Sequence, residues 1–196
     1  MEKDRLEAFS DGVLAIIITI MVLELKVPHG EDLAALLPLW PIALSYLFSF
    51  VYIGIYWNNH HHMFKAATRV NGAILWWNLH LLFWLSLLPF STGWMGENHF
   101  ARWPVMLYGL NLLICAIAYF ILQTSLVRYQ GADSLLARAI GRDVKGKISP
   151  LFYLLGIFAI WGDFPYVGLI FFTGVALMWL VPDSRVERLL DQQEKY

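Results

Sequence analysis

Three stretches of this chain, 36–57, 72–93 and 103–127, are predominantly apolar and contain no Asp, Glu, Lys or Arg. Crossing about 30 Å of hydrocarbon takes about 20 such residues in a helix, which satisfies its own backbone hydrogen bonds without water. Each stretch therefore predicts a membrane span. The segment 148–181 is too long for one span and is broken by Trp161-Gly162-Asp163-Phe164-Pro165, where Gly and Pro mark a turn, so it reads as a hairpin of two helices, the first of them short. The apolar run 12–23 has the length of a signal-peptide core. However, Glu2, Asp4, Glu7 and Asp11 precede it, Glu24-Leu25-Lys26-Val27-Pro28 follows it, and no small-residue cleavage site is present. It predicts a retained helix. The expected fold is an all-α integral membrane protein, one domain over residues 1–196, with six transmembrane helices at 4–27, 36–60, 69–93, 102–127, 147–161 and 164–181.

Composition closes off other classes. Hydrophobic residues make up 59% and charged residues 15%, against about 45–50% and about 25% in soluble domains, which leaves almost no material for a separate catalytic domain. A net charge of -1 carries no electrostatic footprint for nucleic acid. The lone cysteine, Cys115, excludes an intrachain disulfide and a cysteine metal site.

Six helices put both termini on one side of the membrane. Lys3, Arg5, Lys65, Arg69, Arg128, Arg138, Arg142, Lys145, Lys147, Arg185, Arg188 and Lys195 all fall on that side, and only Lys26 and Arg102 on the other. The positive-inside rule makes the termini cytosolic. Trp40, Trp94, Trp103 and Trp161 then lie near the outer boundary, and Trp57 and Trp179 near the inner one, as interfacial anchors.

An acid inside a span needs a partner or water, and Asp11 is that residue in the first helix. At about 100° per residue, with Phe9 at zero, Val13, Ile16, Ile20, Leu23 and Val27 fall within about 40° of it and form one apolar stripe, while Asp11 falls at about 200°. The carboxylate is therefore expected to point into the bundle, with Arg5, Asn58, His60, His61, Trp76, Trp77, Asn78 and His80 as partners of suitable chemistry. Glu24, at about 60°, either gathers cations at the outer mouth or is an interfacial carboxylate paired with Lys26 or a neighbour. The run His60-His61-His62 invites a metal site, but adjacent helical residues diverge by about 100°, and no carboxylate or Cys stands at the right spacing to help. Asn78 and His80 read as interhelical hydrogen-bonding groups. No span carries the repeated Arg of a voltage sensor, and no carbonyl selectivity filter or internal duplication is present. With so few polar residues, an ion path is most economically built on the symmetry axis of an oligomer.

The segment Arg5-x-x-x-Phe9-Ser10-Asp11, followed by Gly12-Val13-Leu14-Ala15-Ile16-Ile17-Ile18-Thr19-Ile20-Met21, closely resembles the opening helix of the transmembrane protein 175 family of potassium channels. Tyr56-Trp57-x-x-His60-His61-x-x-Phe64, Asn78-Leu79-x-x-Leu82-Phe83 and Leu88-Pro89-Phe90-Ser91-Thr92 are also similar to it, so that the motifs cover about the first half of the chain. The resemblance implies a potassium-preferring cation channel. A chain with one six-helix repeat looks like the prokaryotic form, a homotetramer whose first helices surround a central pore. Motif for motif, the resemblance puts the pore constriction at Ile16, with Ile20 and Leu23 further out, in agreement with the stripe above. It links Thr19 to selectivity and assigns Arg5, Phe9, Ser10, Asp11, His60, His61, Asn78 and His80 to a packing and assembly network.

The expected function is thus a potassium-preferring channel without a voltage sensor, in a prokaryotic inner membrane. Its partners are copies of itself and the bilayer. It would use no cofactor, resident metal, small-molecule substrate or catalytic residue, and potassium would be the permeant ion. The alternatives are a proton path through Asp11 and His80, or a membrane-embedded metal-binding protein or enzyme built on His60–His62.

Overall fold

The computed structural model describes residues 3–141 and 143–180, and every regular element within them is helical. Arg142, Arg185, Arg188, Lys195 and the last residue expected in the sixth span lie outside the described residues. The elements are α1 (Lys3–Met21), α2 (Trp40–Lys65), α3 (Gly72–Ser86), α4 (Leu88–Glu97), α5 (Arg102–Gln130), the short α6 (Leu135–Ile140), α7 (Val144–Trp161) and α8 (Pro165–Leu180), with 3-10 turns at Val22–Glu24 and Leu33–Leu39. Five helical stretches are long and apolar enough to cross a membrane: Lys3–Glu24, Leu33–Lys65, Gly72–Glu97, Arg102–Gln130 and Val144–Trp161. Pro165–Leu180 is apolar but shorter.

Several boundaries differ from the sequence reading, each for a local reason. The first helix, expected to reach Val27, tightens into 3-10 geometry after Met21 and leaves helical conformation at Leu25. Pro28 drives the residue before it out of the α region, so the chain turns away ahead of it. The third expected span, 69–93, starts only at Gly72, where the Asn71 side chain accepts from the Ile74 N–H at 3.0 Å and caps the helix. It then divides at Leu87, because Pro89 has no N–H to give back to the turn before it. The second piece, α4, runs on to Glu97. The loop after α5 contains α6, capped by the Ser134 hydroxyl, which accepts from Ala137 N–H at 3.2 Å. Between α7 and α8 the turn closes with Gly162 N–H on the Phe158 carbonyl and Phe164 N–H on that of Ala159, Asp163 taking a φ of 72°.

With lipid as solvent, helices associate through close packing and buried polar contacts rather than through the hydrophobic effect. Phe172 of α8 presses its ring against Gly109 of α5 and Gly156 of α7, where any β-carbon would collide with it. Gly96 of α4 likewise meets Pro41, Ile42 and Ser45 of α2. Ser49 of α2 is hydrogen-bonded to Thr92 of α4 at 2.6 Å and to Tyr108 of α5 at 2.9 Å, all three buried. These contacts make α2, α4, α5, α7 and α8 one packed body, and α1 lies along α2, α3 and α4 at its side.

The first helix and its signature network

The side chains of α1 divide into two faces. Leu6, Ser10, Leu14, Ile17 and Met21, at spacings of four and three, are buried against the neighbouring helices. Phe9, Ile16, Ile20 and Leu23 are exposed and Val13 is half-buried. The contrast is sharpest between neighbours, with Ile16 57% exposed and Ile17 3%. The apolar stripe therefore lies on the outside of the single chain. Thr19 is exposed on the same side, and its hydroxyl donates to the Ile16 carbonyl at 2.9 Å, which occupies its proton and leaves lone pairs of the oxygen facing outward.

The buried face carries the polar signature. Ser10 Oγ donates to the Leu6 carbonyl at 2.8 Å and accepts from Asn78 Nδ2 at 2.9 Å. Asn78 Oδ1 accepts from His60 Nε2 at 2.8 Å, which puts the ring proton on Nε2. Ser10, Asn78 and His60 are all buried, and together they join α1, α3 and α2.

Asp11 is placed differently from the expectation. It is half-buried at the flank of α1, where Trp57 Nε1 donates to its Oδ1 at 3.0 Å. The buried face of α1 is centred a quarter-turn from the apolar stripe rather than opposite it, so a residue opposite the stripe falls on the edge of the packed face. Trp57, read as an interfacial anchor, is in fact this partner. The signal that could have found it was its placement in the Tyr56-Trp57-x-x-His60-His61 motif, three residues before His60.

The remaining expected members stand outside the hydrogen-bonded chain. Arg5 and Phe9 are exposed. His80 is half-buried between the rings of Trp77 and Trp84, at 6.0 and 6.2 Å, and among the described residues no hydrogen bond joins it to Asp11. His61 is exposed and stacks on Trp57, the partner of Asp11, at 6.1 Å. His60 faces inward and His61 outward, and among the described residues no three His, Cys, Asp or Glu side chains are placed to hold a metal ion. Cys115 is buried in α5 beside Asn111.

Both ends of α1 are tied down. Lys3 donates to the Phe64 carbonyl at the end of α2 at 3.1 Å and pairs with Glu7 at 3.4 Å. At the other end Lys26 pairs with Glu97 of α4 at 2.8 Å, not with Glu24. The hydrogen bond and charge of Glu97 raise the Lys26 ammonium above its ordinary pKa. Glu24 lies over Gly93, where a β-carbon would sit 3.1 Å from its carboxyl carbon. This end of the bundle also holds Arg102, which donates to the Trp161 carbonyl at 2.6 Å and so holds the α7–α8 turn to the start of α5.

Residues 5–89, which span α1 to the start of α4, match the family model described as endosomal/lysosomal potassium channel TMEM175. A protein named as a potassium channel in Chryseobacterium sp. (strain P1-3) is 57% identical over 192 residues, covering 98% of this chain and 100% of its own length. Another of that name in Chamaesiphon minutus is 39% identical over 127 residues, 60% of this chain and 63% of that one. The human endosomal/lysosomal proton channel TMEM175 is 34% identical over 119 residues, which cover 53% of this chain and 23% of the human protein. The crystal structure of a lysosomal potassium-selective channel TMEM175 homolog from Chamaesiphon minutus superposes with a TM-score of 0.80 at 30% identity, covering 93% of this chain and 98% of that one. The signature on α1, the match over nearly the whole length of a bacterial relative and the shared fold lead to one conclusion: this chain is an integral membrane protein that belongs to the TMEM175 family, a family of ion channels and not of enzymes.

Proposed function

We propose that the chain forms a potassium-preferring cation channel as a homotetramer, each subunit contributing one domain of six transmembrane helices with both termini in the cytosol of a bacterial inner membrane. The observation that carries this reading is the division of α1. An apolar stripe of Ile16, Ile20 and Leu23 is exposed while the polar signature of the same helix is buried. Four such helices around an axis would make a pore with Ile16 at its narrowest ring and Thr19 beside it, needing no cofactor or resident metal. An apolar ring replaces none of an ion's hydration shell, so it closes by dewetting when narrow and passes hydrated or partly hydrated ions when wider. The bacterial relatives named as potassium channels support the choice of ion.

A second reading, proton conduction, is favoured by the vertebrate relatives named as proton channels. The experiment that separates the two uses purified protein in liposomes under a potassium gradient, with potassium, sodium and proton flux measured in parallel. Potassium flux exceeding sodium flux, and altered by substitution of Ile16, is the expected result. Proton flux alone would establish the second reading, and no flux of any kind would overturn both.

A further inference from the structure

Near the end of the bundle where α1 begins, a cavity of about 40 Å³ opens between α2, α5, α7 and α8. Its described lining includes no residue of α1. A water takes about 10–15 Å³ on this measure, so the space admits a head group of a few heavy atoms. Its walls are aromatic, with Tyr56, Tyr119, Tyr153 and Trp179 around it, and its described lining includes one carboxylate, Asp143.

Asp143 is held in left-handed conformation, with φ 41° and ψ 54°, just ahead of α7. Both of its oxygens accept from uncharged donors, Oδ1 from Gly146 N–H at 3.0 Å and Oδ2 from Gln123 Nε2 at 2.7 Å. Each oxygen keeps a further lone pair. Trp179 is fixed by its indole N–H, which donates to Ser149 Oγ at 2.8 Å. The chain's own Lys145 places its ammonium 5.9 Å from that ring, and so this wall already takes a primary ammonium group. A carboxylate oriented by neutral donors and flanked by aromatic faces is the chemistry that recognises an organic ammonium rather than an anion or a neutral polar group. Phe120, also in the lining, is 43% exposed, which gives an alkyl chain an apolar path outward.

We propose that this cavity binds the primary ammonium head of a small alkylamine, with Asp143 as counter-ion and the Trp179 and tyrosine rings as its walls. Asn59, which also lines the cavity, lies two residues from Trp57 on α2, so an occupied site bears on the helix that holds Asp11 of α1.

The test is saturation-transfer NMR on the full detergent-solubilised chain with n-butylammonium as probe and n-butanol as its uncharged counterpart. Two variants accompany the wild type: Asp143→Asn, which removes the charge, and Ala116→Leu, which fills the cavity and keeps Asp143. Wild type is expected to saturate butylammonium strongly and butanol weakly, with an at least fivefold loss of the butylammonium signal in each variant at unchanged thermal unfolding temperature. Should Asp143→Asn not fold, Ala116→Leu decides alone. An undiminished signal in Ala116→Leu, an equal signal from butanol, or displacement of butylammonium by equimolar potassium chloride would each overturn the proposal. The measurement needs no ion flux, so it is independent of the channel reading.

Discussion

Ser10 of the first helix and Asn78 of the third meet in a hydrogen bond of 2.9 Å, both side chains buried. Ser10 passes its own proton to the Leu6 carbonyl, and Asn78 accepts from His60, so the chain Leu6–Ser10–Asn78–His60 is continuous across three helices. Replacing Asn78 with Leu, close to it in volume, strands the His60 N–H and one acceptor site of Ser10. A stranded buried group costs about 1–3 kcal/mol, toward the low end in membranes, where interhelical hydrogen bonds average about 0.6 kcal/mol. Asn78→Leu should lower the thermal unfolding temperature, and a second substitution, Ser10→Ala, should then cost less than it does alone.

The contact between Trp57 and Asp11 calls for a double-mutant cycle. Asp11→Ala and Trp57→Phe each remove the hydrogen bond, and each is expected to lose about 1–2 kcal/mol of stability, with the double variant losing clearly less than the sum. Asp11→Asn keeps an acceptor for the indole and should stay within about 0.5 kcal/mol of wild type. Additive losses in chemical or thermal unfolding would assign the two residues independent roles.

Ile16 and Ile17 are neighbours in sequence and opposites in burial. If four Ile16 side chains form the narrow ring, Ile16→Asn wets it, raising cation flux in liposomes several-fold and lowering the preference for potassium. Ile17→Asn buries an amide without partners and should act on stability instead, by about 1–3 kcal/mol. The same contrast is testable with cysteines: a small aqueous thiol reagent should modify Ile16→Cys and leave Ile17→Cys and the buried Cys115 untouched.

Thr19 spends its proton on the Ile16 carbonyl, so that any effect on ions comes from the oxygen. Thr19→Val keeps the shape and removes that oxygen. The expected result is a smaller potassium-to-sodium ratio from bi-ionic reversal potentials, with conduction retained. An unchanged ratio would leave Thr19 as a helix-packing residue whose hydroxyl serves only the preceding turn.

The histidines should part company under mutation. His61 lies on the surface against Trp57, so His61→Gln should leave flux unchanged with or without a chelator present. His60→Ala removes a buried partner of Asn78 and should destabilise the fold by about 1–2 kcal/mol. Stoichiometric zinc in purified protein, lost in His61→Gln, would contradict this.

The class of protein and most of its helical segments were legible in the sequence, because a charge-free stretch of about 20 residues has few other fates and Gly-Asp-Phe-Pro after Trp161 can only turn. The apolar stripe was equally legible, since it depends only on the period of the helix. Ile16 and Ile17 separate on a wheel before any neighbour is known.

What the wheel lacks is the position of the neighbours. It showed that Asp11 opposes the stripe, but only packing against α2, α3 and α4 set the buried face a quarter-turn away, which left Asp11 at an edge beside Trp57 and Ser10 at the centre facing Asn78. The same holds for Lys26, whose nearest acid in sequence is Glu24, yet which pairs with Glu97 because α4 continues past its proline-induced break and brings that residue alongside. Periodicity is a property of one helix and is written in the chain. The rotation of that helix against its neighbours depends on which of its side chains meet partners on other helices, as Ser10 meets Asn78 and Asp11 meets Trp57, and only the tertiary structure decides it.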